Sequence, residues 1–165
     1  MARILVSEAL LLALHESTIL CKYNCPAPSL GSYGWLSTRK LLELDLGRLA
    51  VESFSGFYGG PYKGLPGSPK GAGFCSMGAL SYSYSPLPEG MAIGRFASIS
   101  AGLTVLDSTH PVHTLTSSNI TFRPRNRLFQ AFRTPQLEAF AAGFDVSGGK
   151  PYPVIGHDVW IGANV

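Results

Sequence analysis

The chain has 165 residues, of which 45% are hydrophobic and only 14% are charged, with 19 glycines and 12 prolines. This length suits one domain that buries a core of its own. Disordered chains combine low hydrophobicity with high charge, so the composition excludes that class, and the many glycines and prolines disfavour a long helical bundle. The net charge of +3 is too small to indicate a nucleic-acid partner. The composition therefore favours a turn-rich, largely β protein.

Residues 1–72 form a first segment without a motif that indicates a chemistry. We predict a helix over residues 1–20, where an apolar run would be buried; a secretion signal is the alternative, and Glu8 inside the run disfavours it. The apolar run is also too short to span a bilayer. A second, short helix is predicted over 36–50 from its leucines, and irregular structure over 53–73, where Gly, Pro, Ser and Tyr dominate. We expect this segment to serve packing or oligomer contacts.

The three cysteines, Cys21, Cys25 and Cys75, are odd in number. Cys21 and Cys25 are four residues apart, and no second pair completes the spacing of a zinc site or a redox motif. We therefore expect free thiols in a reducing compartment, and place the protein in the cytoplasm.

A six-residue repeat dominates the second half of the sequence. A helix repeats its apolar face near every 3.6 residues and a strand every two, so neither accounts for a period of six. A coil that turns a corner after each short strand does, with a β-branched residue inside and a small residue at the bend. An ordinary β-sandwich with Gly-rich turns is the alternative. Ile or Val stands at the first position of the five clear copies, and a small residue follows in four of them; the first positions are Ile93, Ile99, Val105, Ile155 and Ile161.

The repeat stops after Val105 and resumes at Ile155. The offset of fifty residues from Val105 to Ile155 is not a multiple of six, so we predict a loop insertion over about 107–152, within a repeat domain that spans 73–165. Repeat proteins place insertions on one face, which is frequently the binding face. Loops on a rigid scaffold are also where chemistry concentrates, so this loop is the first place to search for a site.

The runs IGRFASI (93–99), STHP (108–111) and VIGHDVWIG (154–162) resemble the hexapeptide-repeat acyltransferases. More narrowly, they resemble the xenobiotic group with the chloramphenicol and streptogramin acetyltransferases, and related O-acetyltransferases of polysaccharide pathways. The resemblance covers about residues 73–165. It implies a mainly β fold, which is a left-handed parallel β-helix with an extruded loop and a short helical or irregular N-terminal segment. It also implies a homotrimer, acetyl-CoA as the acetyl donor, and no metal.

The resemblance places the general base at His110, in the extruded loop. In that family a loop histidine deprotonates the acceptor hydroxyl, which attacks the thioester directly. The chemistry suits the residue type, because a sugar hydroxyl is a poor nucleophile and imidazole titrates near neutral pH, while the thioester oxyanion needs only one or two hydrogen-bond donors. A plain surface histidine is the alternative. His113 is the local competitor, His157 lies in a repeat turn and is interpreted as structural, and His15 has no chemical partner in the N-terminal helix.

Two further sites follow from the same resemblance. Trp160, followed by Gly162, is expected beside the pantetheine arm of CoA; the alternative is an outward aromatic side chain that packs on a neighbouring subunit. Tyr82 falls where some antibiotic acetyltransferases have a tyrosine that lines the acceptor pocket. The run SYSY leaves this register uncertain by two residues, so Tyr84 competes for the position.

The sequence departs from the antibiotic-modifying members around His110, where Thr109 and Pro111 stand in place of an asparagine and a basic residue. This departure favours a sugar or polysaccharide precursor as the acceptor, with a xenobiotic acceptor as the alternative. The chain stops at Val165, inside a hexapeptide, where family members continue. We therefore expect weak or absent activity from these 165 residues, and a truncated, non-catalytic trimer subunit is a second alternative.

Two other groups of side chains could receive a ligand. A zinc enzyme of the carbonic anhydrase type needs three imidazoles, and only His110, His113 and His157 are available, at a spacing that does not resemble that family. Four arginines also cluster in the loop and could receive an anion, although a solvated loop is the commoner outcome. These are Arg123, Arg125, Arg127 and Arg133.

Overall fold

The computed structural model describes residues 2–63, 71–106, 110–144 and 152–165. The chain divides into two compact units, which are Met1–Val105 together with Tyr152–Val165, and Leu106–Pro151. The strands of the described residues are β1 (Ala2–Leu5), β2 (Ile19–Leu20), β3 (Ser32–Tyr33), β4 (Leu36–Ser37), β5 (Leu41–Leu44), β6 (Ser55–Phe57), β7 (Ser76–Met77), β8 (Tyr82–Ser83), β9 (Ala92–Ile93), β10 (Ser98–Ile99), β11 (Val154–Ile155) and β12 (Trp160–Ile161). The helices are α1 (Glu8–Glu16), a 3-10 helix (Arg127–Phe132) and α2 (Pro135–Ala142).

Helix α1 occupies only the middle of the stretch 1–20 that was predicted to be helical. Ser7 caps it, because the Ser7 side chain accepts a 3.2 Å hydrogen bond from the Leu10 N–H, which has no partner inside the helix. Leu11 faces the core and is fully buried. The flanking residues are extended instead, as β1 and β2, because each finds a partner strand elsewhere in the chain.

The second helix, predicted over 36–50, is wrong, because this stretch forms β4 and β5. Exposed and buried residues alternate along β5, which is the period of a strand with one face inward. Leu42 and Leu44 are the buried pair, and β5 joins β1 in an antiparallel ladder that pairs Ala2 with Leu44. The leucines indicated an apolar face but not its period.

Strand β2 and the strands from β6 onward build two parallel sheets. The larger has the order β12-β10-β8-β6-β2, and the smaller has the order β11-β9-β7. From β7 to β12, successive strands belong alternately to the three-stranded and the five-stranded sheet. Ser76 pairs with Ala92 in one ladder, and Tyr82 pairs with Ser98 in the other, at a separation of sixteen residues in both cases. Each sheet therefore stacks equivalent positions of successive turns.

The first position of each repeat faces the core, as predicted. Ile93 and Ile99 are core residues, and Val105, Ile155 and Ile161 pack against them. The ladders stack Ile155 on Ile93 and Ile161 on Ile99, so β-branched side chains lie above one another on the inner face of each sheet. Met77 continues the first column and Ser83 the second.

The small second position also has a physical reason, which is clearest at Gly94. A Cβ atom at Gly94 would lie 2.6 Å from the carbonyl carbon and oxygen of Gly156 in the next turn. Such a distance is too short for carbon, so only glycine lets the two turns approach this closely.

The prediction of a mainly β, left-handed parallel β-helix is wrong. The described residues form parallel sheets of five and three strands with short helices, about 21% strand and 16% helix, in an α/β-like arrangement. The period of six is the spacing between a strand of the smaller sheet and the next strand of the larger one, as between Ile93 in β9 and Ile99 in β10. The period encodes neither the number of faces nor their handedness. The period also does not predict the helices or the antiparallel pairs β1–β5 and β3–β4.

The second unit, Leu106–Pro151, holds the 3-10 helix and α2. Asn126 and Thr134 cap the two helices, each with a side-chain oxygen that accepts a backbone N–H of the first turn. Pro135 starts α2, at a position where its missing N–H has no helical partner to lose. In the described part of this unit the buried residues are Pro111, Phe122 and Pro124, and both helices are without a buried residue.

Candidate functional site

His110 lies in the second unit, and two contacts hold its ring. Its Nδ1 is 2.7 Å from the backbone carbonyl oxygen of Ser117. Its ring meets the ring of Phe122 edge-on, with centroids 5.1 Å apart and an angle of 76° between the planes. Phe122 is buried, whereas His110 is exposed. The imidazole is therefore fixed in orientation while it keeps access to solvent.

The contact with the Ser117 carbonyl decides which nitrogen of His110 carries the proton. A carbonyl oxygen only accepts hydrogen bonds, so Nδ1 is the protonated nitrogen of the neutral ring. Nε2 then carries the lone pair, and within the described residues it has no hydrogen-bond partner. His110 therefore presents a basic nitrogen at the surface of its unit.

A series of short turns holds the Ser117 carbonyl in place. The Thr114 hydroxyl donates to the Thr116 carbonyl at 2.7 Å, and the Thr116 hydroxyl accepts from the Ser118 N–H at 3.1 Å. The Thr121 hydroxyl donates to the Ser118 carbonyl at 2.8 Å. Hydroxyl-to-backbone bonds of this kind stabilise turns without helix or strand. The run of threonines and serines after His110 is the sequence signal for this support.

The other histidines have different surroundings. His113 is exposed, and it makes no hydrogen bond with any described residue. The Nδ1 atom of His157 accepts a 2.9 Å hydrogen bond from the Arg95 N–H, which ties together two successive turns, as a structural residue would. His15 lies in the last turn of α1, and its ring is edge-on to that of Tyr33 at 5.7 Å.

Tyr82 and Trp160 lie in one row of the five-stranded sheet, in the first unit. Tyr82 pairs with Ser98, and Ser98 pairs with Trp160, so two strand spacings of about 4.8 Å separate them. Trp160 is 80% exposed, and its ring contacts no other ring among the described residues. A Cβ atom at Gly162 would meet nothing within 4 Å, so no close contact explains the glycine there.

Tyr82 belongs to a cluster of four tyrosines that sequence reasoning missed. The ring of Tyr58 lies 5.9 Å from that of Tyr82 at 27°, and 5.1 Å from that of Tyr84. Tyr23 adds a fourth ring, 6.0 Å from Tyr58. Burial first, and the neighbouring phenols second, raise the pKa of Tyr58 and of Tyr84. The alternation of Tyr82 and Tyr84 indicates a shared face of a strand, but Tyr58 joins them only through the register of β6.

Two of the four clustered arginines are paired. Glu138 of α2 forms ion pairs with Arg125, at 3.7 Å, and with Arg133. The hydrogen bond from Arg133 is the main cause that lowers the pKa of Glu138. Arg123 and Arg127 have no ion pair within the described part of the chain. The cluster thus has a carboxylate of its own, which reduces its capacity for an external anion.

All three cysteines are free thiols. Burial raises the pKa of Cys21 and of Cys75 to about 12, so both are protonated and unreactive near neutral pH. In the described ranges, no group of three His, Cys, Asp or Glu side chains could hold a metal ion. The same residues include no helix that is long and apolar enough to cross a membrane.

Compared with protein-family models, with curated proteins and with solved structures, the chain matches none of them.

Proposed function

We propose that the protein is an acetyl-CoA-dependent O-acetyltransferase, with a sugar or polysaccharide precursor as acceptor and His110 as the general base. The observation that carries the proposal is the 2.7 Å contact between His110 Nδ1 and the Ser117 carbonyl, which leaves Nε2 as a free basic nitrogen. A general base must reach the proton that it removes, and the His110 side chain is exposed. We propose acetyl-CoA as the donor because the hexapeptide runs on both sides of the loop resemble those of acetyltransferases.

In the proposed reaction, the acceptor hydroxyl donates a hydrogen bond to Nε2 of His110. As the hydroxyl oxygen bonds to the thioester carbonyl carbon, its proton passes to Nε2. The C–S bond then breaks, and the departing CoA sulfur takes the proton back from Nε2. The Ser117 carbonyl accepts the Nδ1–H bond throughout, which favours the imidazolium present between the two proton transfers.

The remaining parts of the proposal concern the donor, the assembly and the compartment. Trp160 and Gly162 would line the pantetheine arm of CoA, and the 80% exposure of Trp160 supports a role in binding. Tyr82 would contact the acceptor. We further propose a homotrimer, which would cover exposed apolar side chains of the first unit such as Phe96. Three free thiols support a reducing, cytoplasmic compartment.

The test is acetyl transfer by the whole chain from isotopically labelled acetyl-CoA to a panel of sugars, with the product detected by mass spectrometry. His110→Ala should lower the rate by about 100-fold or more, while His113→Ala, the matched control in the same loop, should leave it unchanged. Circular dichroism checks that both variants fold like the wild type.

Three other outcomes would contradict the proposal in different ways. Equal rates for the wild type and His110→Ala would exclude His110 as the base. Transfer to chloramphenicol but to no sugar would favour a xenobiotic acceptor. Absence of transfer above the spontaneous rate would favour a non-catalytic trimer subunit.

A further inference from the structure

A cleft of about 290 Å³ opens beside β6 and β8 in the first unit. The stacked rings of Tyr58 and Tyr82 form its aromatic floor, 5.9 Å apart at 27°. Phe54 and Leu80, which are 59% and 57% exposed, also line it. The volume is at the lower end of the range of small-molecule sites, which is about 300–1,000 Å³. It suits a ligand of one ring.

The floor is built by Gly56 and by strand register. A Cβ atom at Gly56 would lie 2.4 Å from Cζ and 2.6 Å from the hydroxyl of Tyr58, so the Tyr58 ring lies directly over the glycine backbone. Gly56 also pairs with Tyr82 on the next strand, which brings the two rings side by side. Any larger residue at position 56 would displace Tyr58 from this stack.

Phe54 and Leu80 stand in a backbone conformation that bulky residues rarely adopt. Their φ angles are 63° and 59°, in the left-handed region. The turns themselves are part of the fold, because the Leu80 N–H donates a 2.7 Å hydrogen bond to the Phe54 carbonyl. The same kind of turn before β2, β10 and β12 holds Thr18, Phe96 and Asp158. The turn therefore accepts both polar and apolar residues, and at positions 54 and 80 the apolar side chains line the cleft.

The polar groups of the cleft are uncharged. Among the described residues that line it, none is acidic or basic. The hydroxyls of Ser55 and Ser81 are already used inside the fold, since they donate to the carbonyls of Glu52 and Gly94, both at 2.7 Å. The Tyr58 and Tyr82 hydroxyls have no such partner in the described part of the chain, and they remain available to a ligand.

This chemistry selects among classes of ligand. An anion would find no opposite charge in the cleft, and a purely apolar molecule would leave the two phenols unpaired. A pyranose ring has one surface that complements the aromatic rings of the cleft and another that complements its phenol hydroxyls. Its C–H face carries the partial positive charge that the face of an aromatic ring attracts, and its hydroxyl edge can pair with phenols.

We propose that this cleft binds one uncharged pyranose ring, stacked on Tyr58 and Tyr82 between Phe54 and Leu80. The inference rests on the proposed function for the sugar's role as acetyl acceptor, whereas sugar binding itself requires no transfer. It narrows the acceptor class to neutral sugars, and it assigns the recognition of the ring to tyrosines.

Titration calorimetry and saturation-transfer NMR on the whole chain, without acetyl-CoA, test the proposal. The probes are methyl glucoside and methyl galactoside, with glucuronate as the charged and p-nitrophenol as the aromatic comparison. The neutral glycosides should bind, and Tyr82→Ala should weaken their binding about tenfold. Tyr84→Ala is the matched control, because Tyr84 belongs to the tyrosine cluster but does not line the cleft, and it should bind like the wild type.

A second variant protects the test against loss of folding. Asn tolerates the left-handed backbone better than Leu does, so Leu80→Asn should keep the fold while it removes one wall and weakens glycoside binding several-fold. The proposal is overturned if no neutral glycoside binds the folded chain, if binding survives both Tyr82→Ala and Leu80→Asn, or if only p-nitrophenol binds. Glycoside binding without any acetyl transfer would support the proposal, while it contradicts the proposed function alone.

Discussion

The guanidinium of Arg95 holds the carboxylate of Glu52 through two hydrogen bonds of 2.8 Å, donated by Nε and Nη2. The same carboxylate accepts a third hydrogen bond of 2.8 Å from the Ala79 N–H. Glu52 therefore fastens three separate turns of the first unit. The bonds from Arg95, and after them the bond from Ala79, lower the pKa of Glu52 from 4.5 to about 2.

Acid unfolding should report this ion pair. Because the folded pKa of Glu52 lies below its ordinary value of 4.5, its contribution to stability is complete above that value and is lost as the pH falls toward 2. We expect the urea midpoint of the wild type to fall more steeply across this window than that of Glu52→Gln. Glu16→Gln removes a carboxylate that has no ion pair in the described residues, and it should follow the wild type. Equal slopes for the wild type and Glu52→Gln would contradict the prediction.

Removal of the Tyr33 hydroxyl should stabilise the protein. This hydroxyl is buried without a hydrogen-bond partner in the described part of the chain, so Tyr33→Phe should raise the free energy of unfolding by about 1 kcal/mol. The matched control is Tyr62→Phe, because the Tyr62 hydroxyl donates a 3.0 Å hydrogen bond to the Val105 carbonyl. That variant should lose about 1 kcal/mol. Urea unfolding measures the free energy of unfolding of both variants, and a Tyr33→Phe variant less stable than the wild type would contradict the prediction.

An apolar cavity of about 170 Å³ in the first unit offers a second stabilising change. Only hydrophobic side chains line it among the described residues, including Leu14, Leu36 and Val51. Val51→Ile adds one methylene group to the cavity wall and should raise the free energy of unfolding by about 0.8 kcal/mol. Val154→Ile adds the same group at a side chain that is 79% exposed, and should change little. Similar effects of the two variants in thermal unfolding would show that the cavity is not filled.

Thiol labelling should distinguish Cys25 from the two buried cysteines. Burial raises the pKa of Cys21 and Cys75 to about 12, and that of the partly exposed Cys25 in the same direction. Because the thiolate is the reactive form, native protein at about pH 8 should react with Ellman's reagent slowly and at Cys25 only. Urea should expose all three thiols, and native Cys25→Ser should not react. Rapid labelling of three thiols in the native state is the contrary result.

The same thiols predict a loss of stability in alkali. Their folded pKa of about 12 lies above the ordinary value of 9, so the folded state retains protons that the unfolded state has lost between these two values. The contribution of Cys21 and Cys75 to stability is therefore complete below pH 9 and declines as the pH rises toward 12. Cys75→Ala should flatten this decline, which urea midpoints at alkaline pH would measure.

The sequence predicted those features that depend on local spacing. Ile93 and Ile99 were assigned to the core from their period of six, and both are buried because parallel pairing stacks equivalent positions. The same period could not predict two sheets, because it does not count faces. The helix predicted over 36–50 failed for a related reason. Leu42 and Leu44 are held in a strand by β1, some forty residues away, and such distant pairing overrides local propensity.

The candidate sites also combine features that the local sequence predicts with features that depend on the fold. The loop and its flanking motif indicate His110, but the tautomer of His110 depends on the carbonyl of Ser117, which only the folded turns bring within 2.7 Å. Tyr82 was chosen through a family resemblance, whereas the stacking of Tyr58 on it depends on the register of β6 against β8. A glycine close in sequence to an aromatic residue, as Gly56 is to Tyr58, is too common a pattern to predict this stacking.

Strands β11 and β12 complete the two parallel sheets from far along the chain. Ile155 pairs with Ile93 and Ile161 with Ile99, each pair sixty-two residues apart, whereas Met77 and Ile93 pair across sixteen. The entropy lost in closing a loop grows with the logarithm of its length, so the longer closure costs about 1 kcal/mol more than the shorter one.

This difference gives the first unit an order of assembly. The amides of Ser98 and Ser100 are bonded to carbonyls of the β12 segment, while those of Tyr82 and Tyr84 are bonded to the β10 segment. We expect the first pair to exchange with deuterium sooner than the second, because the long-range strands open before the inner ladder does. We therefore expect β11 and β12 to join the sheets after the inner strands, so the rung that carries Trp160 should order later than the inner ladder.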